Sequence, residues 1–358
     1  MGRTSGNPIT MTCPSLRGTD MKGVRVLVTG GAGFVGSEMV RQLCAAQAEV
    51  VVLDNLVNGR RENLEGLPED QVKLHVGDIR DDVLTARLMQ GISLVYHLAC
   101  LGVRHSLHSP VENHEVNATG TLKLLLAAKA AGVRRFVYTS SAEVYGTPLW
   151  VPITEDHPGR PANVYGGAKL AGEGYVRAFG ITRHFPTVVL RLFNSYGPRC
   201  HHEGDCGEVI PRFLLRCMAG FPMVIFGDGM QTRDFNYIED TAKAVLLAGL
   251  VNEAVGQTFN VGCGKDYSIN QLAIEVANVV GRSKVEAIYD APRPADLMRL
   301  CADSTRAQKV LGYKPVVSLT EGLTRLKAWY LSRKKSPETL LKDEVLHNWD
   351  AGEVARAA

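Results

Sequence analysis

Nowhere in this 358-residue chain do apolar residues run for the ~18 positions that a membrane-spanning helix needs. Met1–Asp20 lacks the apolar core of a secretory signal and reads instead as a flexible arm rich in Gly, Ser, Thr and Pro. No excess of one charge is present: 40 Lys and Arg stand against 37 Asp and Glu, a formal net charge of +3 spread along the chain. Neither a nucleic acid nor a membrane surface is therefore expected as a partner. The eight cysteines follow no repeating spacing. With no secretory signal and a cytosolic type of fold, they are expected to be reduced thiols, mostly core fillers, in a cytoplasmic protein. Cys200, His201, His202 and Cys206 have the residue types of a zinc site. Their C-x5-C spacing matches no standard metal motif, and no second ligand pair lies at finger distance. The cluster reads as a polar loop over a substrate pocket, with no metal. Internal repeats and low-complexity segments are missing as well.

What is present is an ordinary globular composition, 45% hydrophobic and 22% charged, in a chain long enough for about two domains. The organising stretch is Val24–Ser37, VRVLVTGGAGFVGS. Val24, Val26, Leu27 and Val28 make a short buried strand. Gly30, Gly33 and Gly36 follow at G-x-x-G-x-x-G spacing, and Phe34, Val35, Met39, Val40 and Leu43 continue at helical spacing. A strand, a glycine turn and a helix N-terminus in that order form an anion site that a pyrophosphate can approach closely. A second apolar strand, Glu49–Leu53, ends in Asp54, eighteen residues beyond Gly36. A carboxylate there suits an adenosine ribose and repels a 2′-phosphate, so NAD is expected rather than NADP, although Arg60 and Arg61 lie near in sequence.

Strands and helices then alternate. Val72–Val76, Ser93–Leu98, Arg135–Thr139 and Thr187–Leu192 read as strands. Residues 111–131, closed by Gly132, and 163–180 read as long helices. The pattern predicts an α/β fold, a doubly wound parallel sheet of Rossmann type. After Pro198 loops lengthen and Gly and Pro cluster, as expected of a smaller mixed α/β substrate-binding domain. The expected division is an arm over 1–20, a cofactor domain over 21–199 with 229–262, a substrate domain over 200–228 with 263–332, and a peripheral charged tail over 333–358.

Tyr165 and Lys169 are four residues apart, so on a helix they share a face. An ammonium beside the phenol, together with the positive nicotinamide of NAD⁺, is expected to lower its pKa towards that of a working general base. Ser141 stands just past the strand RFVYTS, where its hydroxyl can reach a reacting oxygen.

These blocks resemble the extended short-chain dehydrogenase/reductases that act on nucleotide sugars, in particular the UDP-glucose 4-epimerase-like branch. The resemblance spans most of 21–329. It rests on TGGAGFVGS (29–37), GDIRD (77–81), TSSAEVYG (139–146), YGGAK (165–169), RLFNSYGPR (191–199) and FGDGMQTRDFNYIED (226–240), among others. It implies that Gly30, Gly33, Phe34, Val35, Gly36, Asp54, Asn55, Asp78, Ile79, Leu98, Ala99 and Asn117 hold NAD, with Tyr165 and Lys169. Ser141, Tyr165 and Lys169 become the catalytic set. Asn194, Val209, Phe226, Arg233, Arg293 and Asp296 become the nucleoside-diphosphate site, where guanidinium groups can fork onto phosphate oxygens. The implied reaction inverts C4 of a UDP-hexose through a transient 4-keto sugar.

Related enzymes dehydrate or decarboxylate instead, and a non-catalytic NAD-binding module is a more remote alternative. Ala142-Glu143 lacks the Asp of the Asp–Glu pair that dehydratases resembling this chain carry. Glu143 remains as a candidate catalytic residue with no role assigned. Leu300 stands where relatives place the residue that gates the sugar's C2 substituent, unless the register slips by one to Cys301. Leucine there implies room for N-acetyl sugars. The family also implies a homodimer built on the two long helices.

Overall fold

The computed structural model describes residues 20–350 and 352, apart from 205, 283, 285 and 295. Most of the expected N-terminal arm lies outside the described residues. Among the described residues thirteen strands are formed: β1 (Arg25–Thr29), β2 (Glu49–Asp54), β3 (Val72–Val76), β4 (Leu94–His97), β5 (Arg135–Ser141), β6 (Thr187–Leu192), β7 (Asn194–Tyr196), β8 (Met223–Phe226), β9 (Thr232–Tyr237), β10 (Thr258–Val261), β11 (Asp266–Ser268), β12 (Ala287–Asp290) and β13 (Arg299–Leu300). Seven of them build one parallel sheet in the order β10-β6-β5-β4-β1-β2-β3. The order reverses at β1, and open sheets of this kind bind ligands outside the strand C-termini at such a reversal.

The inner strands β1, β2 and β6 form because their residues are largely β-branched and apolar and are covered on both sides, whereas the edge strand β3 is only partly covered. On one face Met39, Val40 and Leu43 of the helix Phe34–Ala45 pack with Val245 and Ala248 of the helix Ile238–Leu250. On the other, Leu124, Leu125 and Ala128 pack with Val176 and Phe179. The remaining strands form a mixed sheet, β7, β9, β11 and β13, and a parallel pair, β8 with β12. A separate core beside them gathers Phe213, Leu214, Leu272, Val276, Leu323 and Leu326 from three helices.

Three local features depart from the sequence expectation. The helix expected over 111–131 starts at Pro110 and carries a widened π-turn, Glu115–Gly120, before continuing as Thr121–Ala130. The Asn117 amide, inside that turn, donates to the Leu101 carbonyl at 2.9 Å and accepts the Leu101 N–H at 3.0 Å, so a side chain pulls the helix onto a neighbouring loop. The second long helix runs Val164–Arg183, beyond Gly180, and ends on His184 in left-handed conformation. Gly180 lies inside the helix, where a Cβ would stand 3.1 Å from the Thr187 hydroxyl. Part of the tail is not peripheral: residues 341–349 fold back across the molecule, burying Val345 and Asn348.

Candidate active site

A single cavity of about 500 Å³ opens along the C-terminal ends of the sheet strands and continues towards β8, β9 and β13. It brings together nearly every residue singled out above.

At the glycine turn, Gly30 takes φ +70° directly after β1, and a Cβ there would stand 2.7 Å from the Ala99 backbone. On Gly36 it would stand 1.9 Å from the Gly30 carbonyl oxygen. Gly33 caps the following helix without a side-chain hydrogen bond, leaving the first-turn N–H groups aimed at the cavity end. Asp54, at the end of β2, accepts the Ala32 and Leu56 N–H groups, each at 2.9 Å. Burial pushes its carboxyl up, opposed by those donors. Asp78 accepts both Nε and Nη2 of Arg80 and the Asn55 amide at 3.3 Å, and the Arg80 hydrogen bonds hold it below the usual carboxylate range. Phe34, Val35, Ile79, Leu98 and Ala99 complete the apolar walls. Arg60, the candidate rival to Asp54, is paired with Glu203 at 2.6 Å instead, and neither it nor Arg61 lines the cavity. Asn117 does not line the cavity either; it acts one step back, through the Leu101 backbone. A flat, two-ended, pyrophosphate-bearing group fits this cradle, because the turn packs backbone on backbone at Gly30 and Gly36 with no side chain between, and the carboxylate of Asp54 closes its far end.

The candidate catalytic residues Ser141, Tyr165 and Lys169 converge on the same cavity. Lys169 is buried and donates to the Thr139 carbonyl at 2.9 Å, with its Nζ 5.8 Å from the Tyr165 ring centre. Ser141 ends β5. The Tyr165 pKa differs from the expectation: burial pushes the phenol well above its usual value, Cys100 and Glu143 add to this, and only the Ser141 hydroxyl opposes it appreciably. Burial likewise pulls the Lys169 ammonium down. Burial is the largest cause of both shifts.

Glu143 accepts the Asn163 amide at 2.9 Å, while Asn163 Oδ1 caps the Tyr165 helix at the Gly166 N–H, 2.8 Å away. It thus ties the end of β5 to the helix that carries the tyrosine.

At the far end, Asp296 Oδ1 accepts guanidinium hydrogens from both Arg233 and Arg293. Arg233 also donates to the Leu297 carbonyl at 2.6 Å. Asn194, Val209 and Phe226 line the same end. Leu300, paired in register with Arg233, faces the cavity; Cys301 does not line it, its carbonyl accepting the Ile153 N–H.

Sequence reasoning missed Cys100, Arg104 and Glu208, and the tail residues Leu346, Asn348 and Trp349, all of which line the cavity. No spacing signalled the tail residues; Trp349 was an isolated aromatic in a polar stretch. In the Cys/His loop a carboxylate takes the centre. Glu203 lies 3.3 Å from His201 Nδ1 and 3.1 Å from His202 Nδ1, while Cys206 donates to Asn58 at 3.1 Å. Burial alone would push the Glu203 carboxyl up, but the two imidazoles and Arg60 hold it far below the usual range. His201 and Cys206 reach the cavity wall.

A doubly wound parallel sheet, a glycine cradle with its acidic partner, and a Ser, Tyr and Lys set in one cavity define an NAD-dependent enzyme of the short-chain dehydrogenase/reductase type. The family model described as GDP-mannose 4,6 dehydratase matches residues 27–326, and the chain belongs to that family of NAD-dependent nucleotide-sugar epimerases and dehydratases. Its cofactor is NAD. A UDP-glucose 4-epimerase of Mycolicibacterium smegmatis is 38% identical over 316 residues, 87% of this chain and all of that one. The structure of a UDP-glucose 4-epimerase from Thermotoga maritima, solved with UDP-glucose, superposes with a TM-score of 0.81 at 33% identity, covering 86% of this chain and 99% of the other. A dTDP-glucose 4,6-dehydratase from Streptomyces venezuelae, solved with NAD, gives a TM-score of 0.82 at 32% identity over 87% and 98%. UDP-glucuronic acid decarboxylases are also among the relatives. No helix among the described residues is long and apolar enough to cross a membrane.

Proposed function

We propose that this protein inverts C4 of a UDP-hexose, UDP-glucose and UDP-galactose or their N-acetyl forms, as an NAD-dependent 4-epimerase. The observation that carries the reading is the residue after Ser141. It is Ala142, so no acid stands there to protonate a departing hydroxyl, and Glu143 is engaged with Asn163. The glycine turn, Asp54 and Asp78 would hold NAD, which when bound supplies a reversible hydride acceptor. Tyr165 takes the proton from the sugar 4-hydroxyl and returns it after the sugar has turned over. Ser141 hydrogen-bonds the same oxygen, and Lys169, fixed on the Thr139 carbonyl, adds positive charge behind the phenol. A nearby cation counteracts the burial that raises Tyr165. Arg233 and Arg293 grip the diphosphate, leaving the sugar free to rotate. A cytoplasmic homodimer belongs to the same reading, supported by exposed Val111, Leu126, Val164 and Ile181 on the two long helices.

The test is product analysis after incubation with UDP-glucose or UDP-galactose. The C4 epimer at unchanged mass is expected. A product lighter by water or by CO₂ overturns the reading in favour of a dehydratase or a decarboxylase.

A further inference from the structure

The segment after the helix Leu319–Ser332 lies beyond residues 27–326, where the family model matches. It forms a strap. Arg212 donates to the Val345 carbonyl at 2.7 Å, and Arg216 pairs with Glu344 at 2.6 Å. Asn348 donates to the Gly207 carbonyl at 3.0 Å, and His347 Nε2 lies 3.0 Å from Asp290 Oδ2. These contacts join the strap both to the helix Val209–Ala219 and to the end of β12. Held in this way, Trp349 meets Phe226 with ring centres 4.8 Å apart and planes at 82°. The His347 ring lies 5.9 Å from Phe226 and 5.4 Å from Trp349. Leu346, Asn348 and Trp349 line the same cavity as Phe226, Val224 and Arg233.

Two rings at a right angle make a corner. A flat heteroaromatic ring that stacks on one of them presents its edge to the other, the two arrangements that aromatic quadrupoles favour. The corner is closed from behind by a strap that is anchored at four points, so its depth is set. A pyrimidine has one ring to place in it. A purine carries a second fused ring and must extend into the strap.

We infer that the strap 344–349 is the outer wall of the nucleobase site, and that Trp349 makes this chain prefer pyrimidine over purine nucleoside diphosphates. The inference rests on the nucleotide-sugar reading of the Phe226 end. It also separates this chain from family members that take a guanine nucleotide, by a residue outside the shared family stretch.

The experiment measures calorimetric binding of UDP and GDP, without sugar, to the NAD-loaded full-length protein and to Trp349→Ala and Trp349→Phe. The unaltered protein is expected to bind UDP at least tenfold more tightly than GDP. Trp349→Ala weakens UDP about five- to a hundredfold, the worth of one base–aromatic stack, and narrows the UDP-to-GDP ratio; Trp349→Phe keeps most of both. A second readout does not depend on that substitution. With Trp150→Phe and Trp329→Phe in place, Trp349 is the last tryptophan, and UDP is expected to change its emission at concentrations where GDP does not. A ratio that stays the same in Trp349→Ala, or an emission blind to UDP, overturns the wall while leaving epimerisation of UDP-glucose intact. Failure of the unaltered protein to bind either nucleotide overturns the nucleotide-sugar reading with it.

Discussion

Lys169 donates its ammonium hydrogen to the backbone carbonyl of Thr139, 2.9 Å away, where the lysine is buried while Tyr165, half-buried, borders the cavity. The lysine is thereby fixed by β5, the strand that ends in Ser141, so three side chains from two elements share one rigid support. As the proposed base, Tyr165 is held at a disadvantage until positive charge arrives beside it, since burial raises its pKa.

Tyr165→Phe therefore removes the proton acceptor without disturbing the cradle. Turnover is expected to fall about 10²–10⁴-fold, the usual worth of a positioned acid–base group. NAD released from the denatured protein is expected at the unaltered stoichiometry. Turnover within a fewfold of normal would move the base elsewhere.

Two glycine substitutions give opposite results. An alanine Cβ at Gly36 would stand 1.9 Å from the backbone oxygen of Gly30, whereas at Gly174, on an exposed helix surface, nothing lies within 4 Å. Gly36→Ala is expected to cost about 1–3 kcal/mol and to lose bound NAD, because the clash is with backbone that cannot yield. Gly174→Ala is expected to stabilise by about 0.5–1 kcal/mol. Denaturant midpoints and the absorbance of released cofactor measure both.

Leu300 sits in register with Arg233 and faces the cavity. If it lies beside the C2 substituent of the sugar, Leu300→Tyr loses kcat/KM for UDP-N-acetylhexosamines about tenfold or more relative to the plain UDP-hexoses. The ratio of kcat/KM values for the two substrate classes, in the unaltered protein and the variant, is the readout. An unchanged ratio places Leu300 away from the sugar.

His97, at the end of β4, is buried between the hydroxyls of Thr29 and Thr121, 2.7 and 2.9 Å from its two ring nitrogens. Burial, then the charge of Lys169, pulls its pKa down to about 3. The folded state thus favours the neutral imidazole, and the stability this contributes is present above the ordinary histidine value of about 6.5 and is lost as the pH falls from there towards the folded value. Urea midpoints from about pH 7 down to about pH 4 are expected to fall more steeply in the unaltered protein than in His97→Gln. Parallel curves would assign the acid sensitivity to other groups.

The sheet was legible in the chain because its signals are local. A run such as VVVLD has one way to be buried on both faces, a glycine triplet at fixed spacing has one turn to make, and Tyr165 and Lys169 share a helix face by arithmetic alone. The cofactor cradle followed from the same short-range rules. What only the tertiary structure decided involves residues far apart in sequence. The π-turn at Glu115–Gly120 depends on Asn117 finding the Leu101 backbone. Arg60 is drawn from the cofactor site by Glu203, more than a hundred residues away. Asp296 joins two arginines, one of them 63 residues upstream. The direction of the Tyr165 shift depends on how much protein surrounds it, which the i to i+4 spacing does not report. The tail shows the limit most plainly. Its polar composition carries no periodicity to read, and its place over Phe226 is set by Arg212, Arg216 and Asp290, partners that only the folded chain brings within hydrogen-bonding reach.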